Sequence, residues 1–155
     1  MIITNFKQFV NENLLVPRNI EERKVKRMQM NIKLLSQEVI EGPLNLDSSF
    51  MDVDAKFVKL KKVKGNVYLD GEDWTTFPVW FKDIEITGDF DCNHNQLMSL
   101  ENSPHSVGKN FNCCVNQLIS LDGCSKNIGG DLNCGENEVE LKLPDYVKLK
   151  GEFNN

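Results

Sequence analysis

Phe111-Asn112-Cys113-Cys114-Val115-Asn116-Gln117-Leu118-Ile119-Ser120-Leu121 decides the fold of this 155-residue chain, because the stretch recurs. Phe90, Phe111, Leu132 and Phe153 stand 21 residues apart, as do Cys92, Cys113 and Cys134, and as do Asn95, Asn116 and Asn137. Leu97, Leu118 and Val139 form a fourth column, and Val107, Ile128 and Leu149 a fifth. A fixed period of about 20 to 50 residues marks a solenoid, in which each unit buries its apolar face only against its neighbours. Such columns describe a scaffold, so function is to be sought on the surface the scaffold displays.

The columns have a physical logic. Two apolar residues of each short strand alternate inward, and stacked strands pair as a parallel sheet. Cysteine is small and tolerates burial, so it suits a tight inner corner. The asparagine is expected to turn inward after the strand and satisfy backbone groups of adjacent coils. Leu97 with Leu100, and Leu118 with Leu121, fill the far side. In the third copy Lys142 replaces the last leucine, and Leu141 or Leu143 is expected to compensate. Upstream, Gly88, Gly65 and Gly42 are spaced by 23 residues. Val67 with Leu69, and Leu44 with Leu46, then take the strand positions, while Trp74, Phe77 and Ile84 align with Leu97, Leu100 and Val107. The two early units carry Glu72 and Ser49 where the asparagine should be, which predicts loops of a different build.

The string L-x-L-x-x-N-x-L-x-x-L, carried by Phe111–Leu121 and Phe90–Leu100, resembles the leucine-rich repeat. Units of 21 to 23 residues look like the short repeats of bacterial effector proteins of that superfamily. The resemblance implies an α+β repeat solenoid: a right-handed coil with one parallel sheet, and a convex side of mostly extended chain, with which Pro78, Pro104 and Pro144 agree. It covers residues 42–155 as about five units and a terminal strand, with residues 1–41 as an N-terminal helical cap.

Within that cap, residues 4–15 read as a short amphipathic helix capped by Thr4, with Phe6, Phe9, Val10 and Leu14 on one face. Pro17 interrupts. A second helix is expected after Asn19, with Glu22 completing a capping box. Ile20, Met28, Ile32, Leu35 and Val39 follow at helical spacing, and Gly42 with Pro43 supplies the stop. An open solenoid needs its first coil covered. The competing reading is a basic helix, through Arg23, Lys24, Lys26, Arg27 and Lys33, that docks nucleic acid or membrane; Glu21, Glu22 and Glu38 weigh against it.

Charge divides along the chain. Residues 1–64 hold 12 Lys/Arg against 8 Asp/Glu, and residues 65–155 hold 6 against 15. A basic end and an acidic end concern partners rather than fold. No apolar run reaches the roughly 18–20 residues that span a bilayer, and the N-terminus lacks the pattern of a secretory signal. Five cysteines, three of them in one column, argue for free thiols in a reducing compartment. The expected location is therefore cytoplasmic.

Little in the chain suggests catalysis. Cys92, Cys113, Cys134 and His94 lack the close pairs of zinc sites, and their spacing is the repeat period itself. Cys114, on an outward strand position, has no evident activating neighbour. His94 and His105 lack a nucleophile at a recognisable spacing, and Gly129-Gly130 is repeat punctuation. The expectation is no enzyme activity, no cofactor and no metal. Alternation instead assigns a strip to the concave sheet, where partners of leucine-rich repeats commonly sit: Tyr68, Asp70, Asp89, Asp91, Asn93, Asn110, Asn112, Asp131 and Asn133. The strip has no lysine or arginine, so it should repel nucleic acid and attract a protein with a basic surface. Tyr68 is its one aromatic anchor. The alternative is that the strip only keeps the sheet soluble.

Ile3-Thr4-Asn5-Phe6-Lys7-Gln8-Phe9-Val10-Asn11-Glu12 also resembles the N-termini of internal head proteins of large contractile-tailed phages. There a Phe-x-x-Phe-[Ile/Val]-x-Glu helix targets the prohead and is cut after [Leu/Ile]-x-Glu, which Ile20-Glu21-Glu22 fits. That resemblance implies an accessory protein acting in the host cytoplasm on a basic defence protein or nuclease. The alternative it implies is a packaged protein of the virion.

Overall fold

The computed structural model of the chain describes residues 20–69 and 73–155. The helix expected over 4–15 and the cap residue Asn19 lie outside them, as do Asp70 and Glu72. What is described is a parallel β-solenoid behind one helix, α1 (Ile20–Leu35). Twelve short strands follow: β1 (Val39–Glu41), β2 (Leu44–Leu46), β3 (Lys62–Lys64), β4 (Val67–Leu69), β5 (Glu85–Ile86), β6 (Phe90–Asp91), β7 (Ser106–Val107), β8 (Phe111–Asn112), β9 (Asn127–Ile128), β10 (Leu132–Asn133), β11 (Lys148–Leu149) and β12 (Phe153–Asn154).

The strands build two parallel sheets of six rather than one. Odd-numbered strands stack in the order β1-β3-β5-β7-β9-β11, and even-numbered strands stack beside them from β2 to β12. The even sheet holds the repeat columns: Val67 pairs with Phe90, Phe90 with Phe111, Phe111 with Leu132, and Leu132 with Phe153. The odd sheet occupies the returning segment that was expected to be plain extended chain. Each odd strand carries one inward apolar residue, and Ile40, Val63, Ile86, Val107 and Ile128 are buried in succession. Two early expectations change accordingly. Val39 belongs to β1 and not to the helix, because Ile40 beside it pairs in register with Val63. Ile86, not Ile84, takes the place of Val107. The step is 23 residues from Lys62 to Glu85 and 21 from Glu85 to Ser106, and likewise 23 from Val67 to Phe90 and 21 from Phe90 to Phe111, so the shortening falls between β6 and β7.

A third side closes each coil. Trp74, Phe77, Leu97, Leu100, Leu118 and Leu121 are buried there, and Leu141 fills the place that exposed Lys142 leaves. Val139 departs from its column: it is 45% exposed, because its coil has a neighbouring coil on one side only among the described residues. The core is richest in rings at mid-solenoid. Phe90 lies 4.9 Å from Phe111 and 5.5 Å from Phe81, centroid to centroid, distances at which aromatic pairs attract beyond simple burial.

Helix α1 ends at Leu35, earlier than Gly42. Lys59 and Leu60 donate backbone N–H groups to the Leu35 carbonyl at 2.8 and 3.1 Å, which ties the helix end to the following coil. Asn31 Nδ2 donates to Ser49 Oγ at 2.9 Å in the coil that lacks the repeat asparagine. Leu35 is buried, while Met28, Ile32 and Leu34 pack half-buried on the core. Ile20 points to solvent, as do Arg23, Lys24, Lys26, Arg27 and Lys33.

The asparagine column behaves as its chemistry demands. Asn116 Oδ1 accepts from Leu97 N at 3.0 Å, and its Nδ2 donates to the carbonyls of Cys92, Cys113 and Cys114 at 3.0, 3.2 and 3.1 Å. Asn95 and Asn137 repeat the pattern, accepting from Trp74 N and Leu118 N. The residue before each asparagine is left-handed: φ is +51° at His94, +53° at Val115 and +56° at Glu136. Recurrence at one repeat position makes this a property of the turn and not a local functional strain. Valine is the poorest of the three there, since a left-handed L-residue costs about 1–2 kcal/mol and β-branching worsens it. Val115→Asn is expected to raise stability by about 0.5–1 kcal/mol and Tm by roughly 1–4 °C. A lower urea midpoint for the variant would contradict this account.

Candidate functional site

The outward residues of the even sheet form two columns and a corner. Asn45, Tyr68, Asp91, Asn112, Asn133 and Asn154 succeed one another at one strand position, as the pairings of β2 through β12 require. Asn93, Cys114 and Gly135 follow two residues later. Asp91 Oδ1 accepts from Asn93 N at 3.1 Å, and Asn112 Oδ1 from Cys114 N at 3.2 Å, so these side chains also brace the strand ends. Asn154 Nδ2 donates to Asn133 Oδ1 at 2.8 Å, and Asn66 Nδ2 to the Tyr68 hydroxyl at 2.7 Å.

Asp89, Asn110 and Asp131 stand elsewhere, on the corner between the two sheets. Asn66 Oδ1 accepts from Asp89 N at 2.9 Å, Asp89 Oδ1 from Asn110 N at 3.1 Å, Asn110 Oδ1 from Asp131 N at 2.9 Å, and Asp131 Oδ1 from Glu152 N at 2.9 Å. One oxygen of each side chain is thus committed to the next coil's backbone. Sequence alternation placed these three on a binding strip and missed this second ladder. Its signal was present, since Asn66, Asp89, Asn110, Asp131 and Glu152 follow the same 23- and 21-residue steps as the core. Asp89 and Asp131 are each half-buried and enter no ion pair among the described residues, so their charge still contributes to this side.

The two sheets treat charge differently. On the odd sheet, acids and lysines pair across adjacent strands: Lys64 with Glu41 at 2.9 Å and Lys62 with Glu85 at 2.8 Å. From the middle of α1, Arg27 reaches Asp47 at 3.8 Å. Among the described residues Asp89, Asp91, Asp131 and Glu152 enter no ion pair of this kind. Lys109 occupies the corner column next to them, between Gly88 and Gly130. The face is therefore a strip of uncompensated acids set among amides, bordered by one lysine.

The thiols show little sign of activation. Burial pushes Cys92 and Cys113 well above the usual thiol range, Cys124 up to about 12 and Cys134 up to about 11. Cys114, half-exposed on the strip, is also raised, by desolvation first. At neutral pH all five are thiols rather than thiolates, the opposite of what a nucleophile needs. Among the described residues no three His, Cys, Asp or Glu side chains come together to hold a metal ion, and no helix is long and apolar enough to cross a membrane. The chain matches no protein-family model, no curated protein and no solved structure.

Proposed function

We propose that this protein is a non-enzymatic interaction module whose even-sheet face engages a protein with a basic surface. The observation that carries the reading is the contrast between the sheets. Acids of the odd sheet are met by lysines one strand away, whereas Asp89, Asp91, Asp131 and Glu152 have no ion-pair partner among the described residues. Uncompensated charge of one sign steers and selects an oppositely charged partner. Tyr68, half-buried, is the aromatic contact of that face. The same reading includes kinship with leucine-rich repeats, supported by the inward asparagine column, and a right-handed coil. It includes a phage source, supported by residues 3–12 and 20–22, with action in the host cytoplasm on a defence protein or nuclease. Packaging in the virion is its alternative.

The ladder dictates how to test the face. Lysine at 89 or 131 would remove an acceptor that the next coil needs. Asparagine retains it, as Asn66 and Asn110 do in the same column. A variant carrying Asp89→Asn, Asp91→Asn, Asp131→Asn and Glu152→Gln should keep its thermal midpoint within a few degrees. It should also lose roughly tenfold or more in affinity for a basic protein captured from host lysate, with the salt dependence reduced. Undiminished capture by that variant would refute the acidic-face reading.

A further inference from the structure

A second surface carries different chemistry. On the third side of the solenoid, against the edge of the odd sheet, an open groove of about 530 Å³ crosses three coils. Lys82, Asp83, Ser103, His105, Lys126 and Tyr146 line it. The groove contains two of the six lysines that the acidic half of the chain possesses. Among the described residues neither Lys82 nor Lys126 has an ion-pair partner, while Asp83 faces Lys61 at 3.6 Å and is partly neutralised by it. Ser103 is 5% exposed, and its hydroxyl has no hydrogen-bond partner. A buried hydroxyl without a partner costs about 1–3 kcal/mol, and native structures rarely leave one unexplained. Ser125, also in the groove, differs: its Oγ donates to the Pro104 carbonyl at 2.7 Å. Tyr146 forms a fixed wall, since its hydroxyl accepts from Gly123 N at 2.9 Å and donates to the Leu121 carbonyl at 3.4 Å. Lys82 and Asp83 also line an adjoining hollow of about 300 Å³, where the indole N–H of buried Trp80 has no partner either.

The groove thus holds two ammonium groups and a hydroxyl able to donate, and the hollow beside it an indole N–H without a partner. We infer that the groove is a binding site for an oxyanion-bearing small molecule, one presenting a phosphate or carboxylate group. Two lysines supply charge, and charge-assisted hydrogen bonds to such a group are about twice as strong as neutral ones. Ser103, whose buried hydroxyl has hydrogen-bonding capacity unused within the protein, lines the same groove. The flat wall of Tyr146 suits a planar or ring-shaped body attached to the anion. This site is independent of the acidic face, which lies on the even sheet and would repel the same ligand.

The test is an amide NMR titration of the full ¹⁵N-labelled chain with inorganic phosphate, with citrate, and with chloride at matched ionic strength. Saturable shifts confined to residues 82–83, 103–105, 123–126 and 146, with phosphate or citrate but not with chloride, are the expected result. A response to phosphate alone assigns a phosphate-bearing ligand, and a response to citrate alone a carboxylate. A Lys82→Ala, Lys126→Ala double variant should weaken binding by roughly tenfold or more. Ser103→Ala should weaken it as well, while leaving the unliganded protein as stable as before or more so, because it removes an unsatisfied hydroxyl. Shifts that do not saturate, or that chloride reproduces, would overturn the assignment. So would saturable binding to which both variants are indifferent.

Discussion

Replacing Asn116 with alanine is expected to destabilise the protein by about 3–5 kcal/mol, a large share of the 5–15 kcal/mol typical of a domain. The side chain is 6% exposed and bonds four backbone groups in two coils. Alanine leaves the Leu97 N–H without its acceptor, at about 1–3 kcal/mol, and removes the donor shared by the carbonyls of Cys92, Cys113 and Cys114, at about 1 kcal/mol for each effective bond. A small apolar residue cannot relax into the gap and satisfy those groups. Asn116→Asp sharpens the test, because it preserves size and the acceptor and removes only the donors. Burial and three facing carbonyls disfavour the charged form, so the introduced carboxyl has a folded-state pKa above its unfolded one. Its penalty is then smallest at low pH, where the acid is protonated in both states. It grows as pH rises through the unfolded and then the folded value. Urea unfolding at pH 4 and pH 7, referenced to the wild-type protein at each pH, reads this out. A wild-type-like midpoint for Asn116→Ala would show that the ladder contributes little.

The parts of the fold that were legible in the sequence are those where side-chain identity and depth coincide. Phe90, Phe111 and Leu132 are apolar because they are buried, so their spacing states the coil length directly. Asn116 was legible for a related reason, since an amide recurring among buried residues must be answering backbone groups. The odd sheet was not legible. Its strands are two or three residues long with a single inward residue each, such as Ile86 or Val107, and one apolar residue cannot display alternation. Val39 satisfied a helical spacing from Leu35, and only its pairing with Lys62 places it in a strand. The Asn66–Asp89–Asn110–Asp131 ladder was hidden by polarity, because these residue types also suit a solvated strip. Nothing in the spacing of Lys82, Ser103 and Lys126 announced a groove, because it assembles from three coils at positions whose chemistry changes from one coil to the next.

Both ladders constrain where function can reside. A side chain that holds the next coil's backbone is fixed in direction, and its substitution is read first as a loss of stability. Glu152 is freer to take part in binding than Asp89, Asp91 or Asp131, each of which already has one oxygen engaged by a backbone N–H. The repeat therefore supplies a rigid array with a few variable points. Affinity gained from such an array comes from preorganisation as much as from new contacts.

Gly65→Ala tests the corner from the side of packing rather than hydrogen bonding, and about 2–4 kcal/mol of destabilisation is the expected outcome. The glycine sits where the chain turns from β3 into β4. A methyl group built there would lie 2.5 Å from both the carbonyl carbon and the oxygen of Gly42, and 3.0 Å from Pro43 N. All three are backbone atoms of the preceding coil, so no side chain can swing aside. Relief requires the second coil to slide or tilt on the first. That motion strains the bonds that bracket the corner, Gly42 N to Lys64 O at 3.0 Å, Leu44 N to Asn66 O at 2.9 Å and Gly88 N to Gly65 O at 3.0 Å. The damage is expected to be local in origin and shared in effect, because each coil is stabilised chiefly by its neighbours. Hydrogen exchange separates this from a uniform loss: amides of β1 to β4 should lose protection first, while those of β8 and β10 keep theirs until global unfolding. Equal loss along the whole solenoid would mean that it unfolds as one cooperative unit and that the corner is not a point of independent failure. An alanine variant as stable as the wild type would show that the coils can separate at the corner without cost.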